Sequence, residues 1–298
     1  MSSGSNRLKP RLACEIAADR VLVGRLGEDG RSLGACAAHE LAPGSVVPDL
    51  VEGNLRQRNA VTEAVQEALH SLGGRSHDVI AVVPDAAVRV VLLEFDTLPS
   101  DSEEAASVVR FRMKKSLPFD VDKARVSYHA QKSNDGVRVV AAVALASVVE
   151  DYEAAFHEAG FSPGVVLPSM LAALGAAEGE RPTLIVKVDA LTTSIAILNA
   201  HQLQLFRTLE NTRGVTITGE QLAEEVYPSV VFFQDTYHLN IEKIFVAGIS
   251  DIGSAAPALR AQTGAEVQEL VTSSQLGVNT GGSVPRWRMA AVVGALVS

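Results

Sequence analysis

Two acids stand at corresponding places in this chain, each at the turn of an apolar hairpin pattern. Glu15 lies in Leu12-Ala-Cys-Glu-Ile-Ala17-Ala18-Asp19, ahead of a second apolar run from Val21 to Leu26. Asp189 lies in Leu184-Ile-Val-Lys-Val-Asp189-Ala190-Leu191-Thr192-Thr193, ahead of Ile195 to Leu198. A carboxylate at such a turn can hold magnesium through water, and hydroxyls such as those of Thr192 and Thr193 can reach phosphate oxygens. Backbone amides approach a phosphate closely only where glycine removes the Cβ, and both turns lack it. The same acids could equally cap their own turns.

Other chemistries find little support. The seven histidines show no HxH, HExxH or Cys-adjacent spacing, so no metal centre is expected. Cys14 and Cys36 sit among small or apolar residues without a CxxC, which reads as reduced packing residues. There is no Gly-x-Ser-x-Gly and no Walker loop. A net charge of −9 argues against a nucleic-acid protein. The apolar runs Val139 to Val149 and Met289 to Val297 fall short of the ~20 residues that cross a bilayer, and the polar start Met1-Ser-Ser-Gly-Ser-Asn does not read as a signal peptide.

The elements that must position these acids follow from pattern. Strands are expected at 12–17 and 20–26. Val61, Val65, Ala68, Leu69 and Leu72 repeat at helical spacing before Gly73-Gly74. Asp78 to Val83 and Val88 to Phe95 read as strands. Ser100-Asp-Ser-Glu103 reads as a capping box opening a helix with an Ala105, Val109, Met113, Leu117 stripe and with acids early and bases late. Strands at 125–131 and 137–145 flank a Ser133-Asn-Asp-Gly136 turn, and a second capping box, Ser147 to Glu150, starts a helix that ends at Gly160. Beyond a polar linker at 178–182 and the second hairpin, a helix from Gly219 to about Tyr237 should be kinked or divided by Pro228. Ile244 to Gly248 is a strand, Ala255 to Gln262 a helix, and Gly281-Gly-Ser-Val-Pro285 a break before a last apolar helix. The hairpin at 12–26 recurs at 184–207, an internal duplication. Arg110 and Lys114, four apart, could grip a partner's acidic or carbonyl groups or simply complement the helix dipole, and Phe119 reads as a core anchor or a contact residue.

Val79-Ile-Ala-Val-Val-Pro84, Leu98-Pro99 and above all Val109-Arg110-Phe111-Arg-Met-Lys114-Lys-Ser-Leu-Pro118-Phe119-Asp120 resemble the type IV pilus assembly protein PilM family, relatives of FtsA. Phe111 stands where that family usually has Trp. Further matches run in order through Gly160-Phe-Ser-Pro163, Val166 to Leu174, Asp189 with Thr192-Thr193, Ile244 to Gly248 and Ala290 to Gly294. The resemblance implies an α/β, actin-like fold of two RNase-H-like halves with the inserted subdomain that FtsA and PilM share. The implied division is a disordered tail at 1–11, a first half from 12–85, 162–180 and 285–298, the insert at 86–161, and a second half at 181–284 whose nucleotide-covering cap is trimmed between Leu209 and Ile244.

The family's phosphate loops read Asp-x-Gly-Ser and Asp-x-Gly, and its adenosine side Gly-Gly. Here they become Glu15-Ile-Ala17-Ala18, Asp189-Ala-Leu191 and Gly248-Ile249, so Glu15, Asp189, Thr192, Thr193 and Gly248 are at most a residual nucleotide site, and no cofactor is expected unless ATP and magnesium still bind. The resemblance further implies a non-enzymatic cytoplasmic scaffold, peripheral at the inner membrane of a type IV pilus or type II secretion platform. In that family the groove between insert and first half holds the N-terminal cytoplasmic peptide of PilN, a bitopic membrane protein, with Arg110, Phe111, Lys114 and Phe119 as candidate contacts. Pilus motor ATPases and self-association are further possible partners. Alternatives are an active ATP-binding or ATP-hydrolysing actin-like protein and, more distantly, a sugar-kinase-type enzyme.

Overall fold

The computed structural model describes residues 10–133, 136–277 and 284–297. Residues 1–9 of the expected 1–11 tail, the centre of the Ser133–Gly136 turn and the Gly281-Gly-Ser break lie outside them.

Two five-stranded sheets share one topology. The first holds β1 (Leu12–Ile16), β2 (Arg20–Leu26), β3 (Leu33–Glu40), β4 (Asp78–Val83) and β8 (Ser162–Pro168) in the order β3-β2-β1-β4-β8. The second holds β9 (Thr183–Val188), β10 (Thr192–Asn199), β11 (Gln202–Glu210), β12 (Lys243–Ala247) and β13 (Glu266–Glu269) in the order β11-β10-β9-β12-β13. In each, three antiparallel strands continue into two parallel ones. This is the duplication the two hairpins predict. The strands β3 and β8 are additions to the sequence reading: Leu33-Gly-Ala-Cys-Ala-Ala and Ser162-Pro-Gly carry little apolar signal, because an edge strand draws its pairing from one neighbour.

Helix α1 (Arg58–Ser71) buries Val61, Ala64, Val65, Ala68 and Leu69 on the first sheet and ends at Gly73, whose φ of +65° a side chain would strain. Helix α5 (Gly219–Tyr237) covers the second sheet and runs through Pro228 without being divided; a true capping box, Thr218 with Gln221, starts it. Helix α6 (Ile252–Thr263) packs beside it. The short helix α4 (Ser169–Ala173) and α7 (Ala290–Val297), buried from Ala290 to Leu296, join the two halves in one core, which mixes Ala13, Leu22 and Ile80 of the first sheet with Ile185, Ala196 and Phe245 of the second.

The insert is a sheet of order β5-β7-β6, formed by β5 (Arg89–Phe95), β6 (Ala124–Ser133) and β7 (Gly136–Leu145), with α2 (Ser102–Met113) on one face. The cap of α2 is Asp101, one residue later than expected, and its carboxylate accepts from the amides of Glu103 and Glu104. Helix α3 (Ala146–Glu158) begins directly after β7 with no side-chain cap, so the second expected capping box is not used. It packs Val148, Tyr152 and Phe156 into the core of the first half, against α1, rather than into the insert.

Candidate functional site

In α/β sheets, ligands gather outside the carboxyl ends of the parallel strands. Here the carboxyl ends of β1 and β9, one from each half, bring Glu15 and Lys187 together, and the turn after β9 adds Asp189. Both strands are central and buried on both faces, so any polar side chain near their ends is taken out of water.

The result is a buried charge network that crosses from one half to the other. The Lys187 ammonium donates to the Asp189 carboxylate and stands 3.4 Å from Glu15 Oε1. The Ser169 hydroxyl donates to the same Glu15 oxygen at 2.5 Å. Arg20, 2% exposed, holds Asp19 at 2.8 Å and reaches to 3.5 Å from Asp189 Oδ1. Asp85, just after β4, accepts from the Met170 amide at 2.8 Å and from the Ser194 hydroxyl of β10 at 2.7 Å.

Burial alone would pull the Lys187 pKa down, yet the carboxylates of Asp189, Glu15 and Asp85 hold it above the ordinary lysine value. Burial raises the Asp189 carboxyl, but Lys187 and Arg20 overcome that and keep it below its ordinary value. Asp85 is the surplus acid: two cations already face Glu15 and Asp189, and desolvation pushes Asp85 up to about 6 despite Lys187 and its two hydrogen bonds.

The residues present do not fit a magnesium–nucleotide. A lysine ammonium stands between the two acids that would hold the metal's water shell. The cavity lined by Glu15, Ala17, Ala18, Asp189, Leu191 and Thr192 measures about 20 Å³, close to the space of a single water. Thr193 is wholly buried, and its hydroxyl has no hydrogen-bond partner among the described residues. Gly248 does have a left-handed φ of +86°, for a reason internal to the fold: a Cβ there would strike the Val188 carbonyl, and its amide donates to Trp287 O at 2.8 Å. Of the five residual candidates, Glu15, Asp189 and Thr192 thus share one small cavity, whereas Thr193 and Gly248 do not line it.

The sequence reading passed over Lys187, Arg20 and Asp85. A signal was available for the first, a lysine in the middle of the buried run Leu184-Ile-Val-Lys-Val.

Two grooves flank the insert. One, about 260 Å³, runs between β6 and β7 of the insert and α3 and β8 of the first half; Val126, Ala142, Ala144, Val148, Tyr152 and Val166 line it, with Arg125 among its polar residues. The other, about 620 Å³, separates the free edges of β5 and β11 and contains Arg207 and Phe232. Neither is lined by Arg110, Phe111, Lys114 or Phe119. For the 260 Å³ groove the reason is the pleat of β7: Val139, Ala141 and Val143 face α2, whereas Ala142 and Ala144 line the groove, so α2 lies across the sheet from it. Arg110 instead donates to Val121 O at 3.2 Å, and Phe119 packs in the core of the insert.

The duplicated sheets, the shared buried helices and the insert define an actin-like α/β fold. A solved PilM–PilN type IV pilus biogenesis complex contains a chain that superimposes with a TM-score of 0.78 at 19% identity, over 97% of this chain and 98% of that one. A Bacteroides thetaiotaomicron protein of actin-like ATPase fold and unknown function follows at 0.53 and 12% identity, over 90% and 92%. The cytoplasmic domain of EpsL, an inner membrane component of the Vibrio cholerae type II secretion system, gives 0.51 at 9% identity, over 89% and 86%. At these identities the likeness is one of fold. No protein family model and no curated protein matches the sequence. No helix among the described residues is long and apolar enough to cross a membrane.

Proposed function

We propose that this chain is a PilM-like, non-enzymatic scaffold of a type IV pilus or type II secretion assembly platform, held in the cytoplasm against the inner membrane by a bitopic, PilN-like partner. The carrying observation is the lysine between Glu15 and Asp189: the cation that would have to arrive with a nucleotide is built into the chain, and it ties the two halves together. The cleft then works as an internal strut. The partner's N-terminal peptide docks in the 260 Å³ groove between insert and first half, where apolar walls suit a peptide's side chains and strand edges suit its backbone.

Two measurements test this reading. Melting temperature should not move with millimolar MgATP or MgADP, since a ligand at 100 times its Kd adds about 2.7 kcal/mol; a saturable rise would restore the ATP-binding alternative. A PilN-like N-terminal peptide should bind by calorimetry, lose binding on Ala142→Arg, and keep it on Arg207→Glu in the other groove. Binding that survives Ala142→Arg and fails on Arg207→Glu would move the partner to the β5–β11 side.

A further inference from the structure

The most exposed large apolar side chain among the described residues is Phe111, at 79%. It sits on α2, whose buried stripe is Ala105, Val109 and Met113. Two residues on from Val109 is about 200° around a helix, so Phe111 occupies the ridge opposite the core, where no packing asks for an aromatic ring.

Its neighbours are cationic. From Ala105 to Phe119 the chain carries Arg110, Arg112, Lys114 and Lys115 and no acid, within a protein of net charge −9. Lys114, three residues after Phe111, caps the carboxyl end of α2, and Lys115 follows in the turn beyond it. Arg112, Lys114 and Lys115 are exposed, and among the described residues no carboxylate pairs with them. The nearest following acid, Asp120, uses its carboxylate to accept from the Asp122 amide. Favourable interaction with the helix dipole accounts for bases at this end. It does not account for the ring among them.

An exposed aromatic ring ringed by solvated lysine and arginine is the pairing that rests at a lipid headgroup layer: the ring enters the acyl boundary and the cations meet phosphate. The patch lies on the outer face of α2, across the insert sheet from the 260 Å³ groove, so it can touch a surface while that groove is filled. We propose that the carboxyl-terminal end of α2 is a contact site for an anionic membrane surface, with Phe111 as the apolar wedge and Arg112, Lys114 and Lys115 as the electrostatic contacts. The site is independent of the groove and its partner.

The test is co-sedimentation of the full chain with vesicles of mixed phosphatidylglycerol and phosphatidylcholine, against phosphatidylcholine alone. The protein should pellet with the anionic vesicles only, and less as salt rises. Phe111→Ser should lower partitioning about tenfold, and Lys114→Ser and Lys115→Ser about fivefold each, while Arg75→Ser, exposed elsewhere, changes nothing. An unchanged melting temperature confirms that each variant is folded. Equal pelleting with both vesicle types, no pelleting with either, or variants that pellet like the parent would each overturn the proposal. Loss of an acidic protein partner by these variants, without vesicle binding, would assign the patch to a protein instead.

Discussion

Replacing Lys187 with methionine keeps most of the side chain's length and deletes its charge. The ammonium is paired with Asp189, lies 3.4 Å from Glu15 and feels Asp85 as well. Without it, three buried acids face Arg20 alone, beside a cavity of about 20 Å³ that admits little solvent. Removing one partner of a buried ion pair costs about 3–5 kcal/mol, because the survivor stays charged and desolvated. With three survivors, Lys187→Met should fall at the upper end of that range near pH 7.5, read from urea denaturation. The loss should shrink as pH falls towards 5. With the cation gone, the buried carboxyls take up protons more readily in the folded than in the unfolded state, so acid favours the folded variant. In the parent, Lys187 has its pKa raised, so its own contribution is complete at neutral pH and fades only above the ordinary lysine range. Adding Asp189→Asn to Lys187→Met should recover a large part of the loss, with a coupling of about 1 kcal/mol or more between the two sites. A cost below about 1 kcal/mol at pH 7.5, or one that does not narrow on acidification, would refute the buried network.

Asp85→Asn should stabilise the protein at neutral pH. The acid's pKa is raised from 3.8 to about 6, so its ionisation opposes folding by about 3 kcal/mol at pH 7.5. In the parent that stability is present below about pH 4 and is lost as pH rises through 6; urea midpoints at pH 4 and 7.5 should show the fall in the parent and its absence in the variant. The amide can still accept from Met170 and can donate to Ser194. Tyr152→Phe removes the hydroxyl that donates to Asn54 Oδ1 at 3.1 Å, leaving a buried acceptor unpaired, and should cost about 1–3 kcal/mol by the same assay. Gly294→Ala places a Cβ on the Ala172 carbonyl where α7 crosses α4; backbone cannot yield there, so a loss of at least about 1–3 kcal/mol is expected, seen as a lower melting temperature and faster proteolysis between the halves.

Sequence alone determined the two repeated hairpins and the main helices around them. The apolar runs at Leu12 to Leu26 and Leu184 to Leu198, the 3.6-residue repeat of α1 and the proline-containing α5 are local patterns, and local patterns survive without knowledge of neighbours. The lost glycines at Ala17 and Leu191 were equally legible, since glycine's use is a property of one position. Edge strands β3 and β8 were not, because their order comes from the strand beside them. Nor was the cap at Asp101, where two adjacent residues both offer an oxygen and backbone geometry selects one. The role of Lys187 lay furthest from reach. In the sequence it is a lysine in an apolar strand, more than 160 residues from Glu15 and Arg20. Only the packing of one sheet end against the other buries Glu15, Arg20, Asp85, Lys187 and Asp189 together, and burial is what turns five ordinary charges into a bound network: in water each would be screened and solvated separately, and in the closed cleft they are satisfied by one another and by the hydroxyl and amide donors of Ser169, Ser194 and Met170.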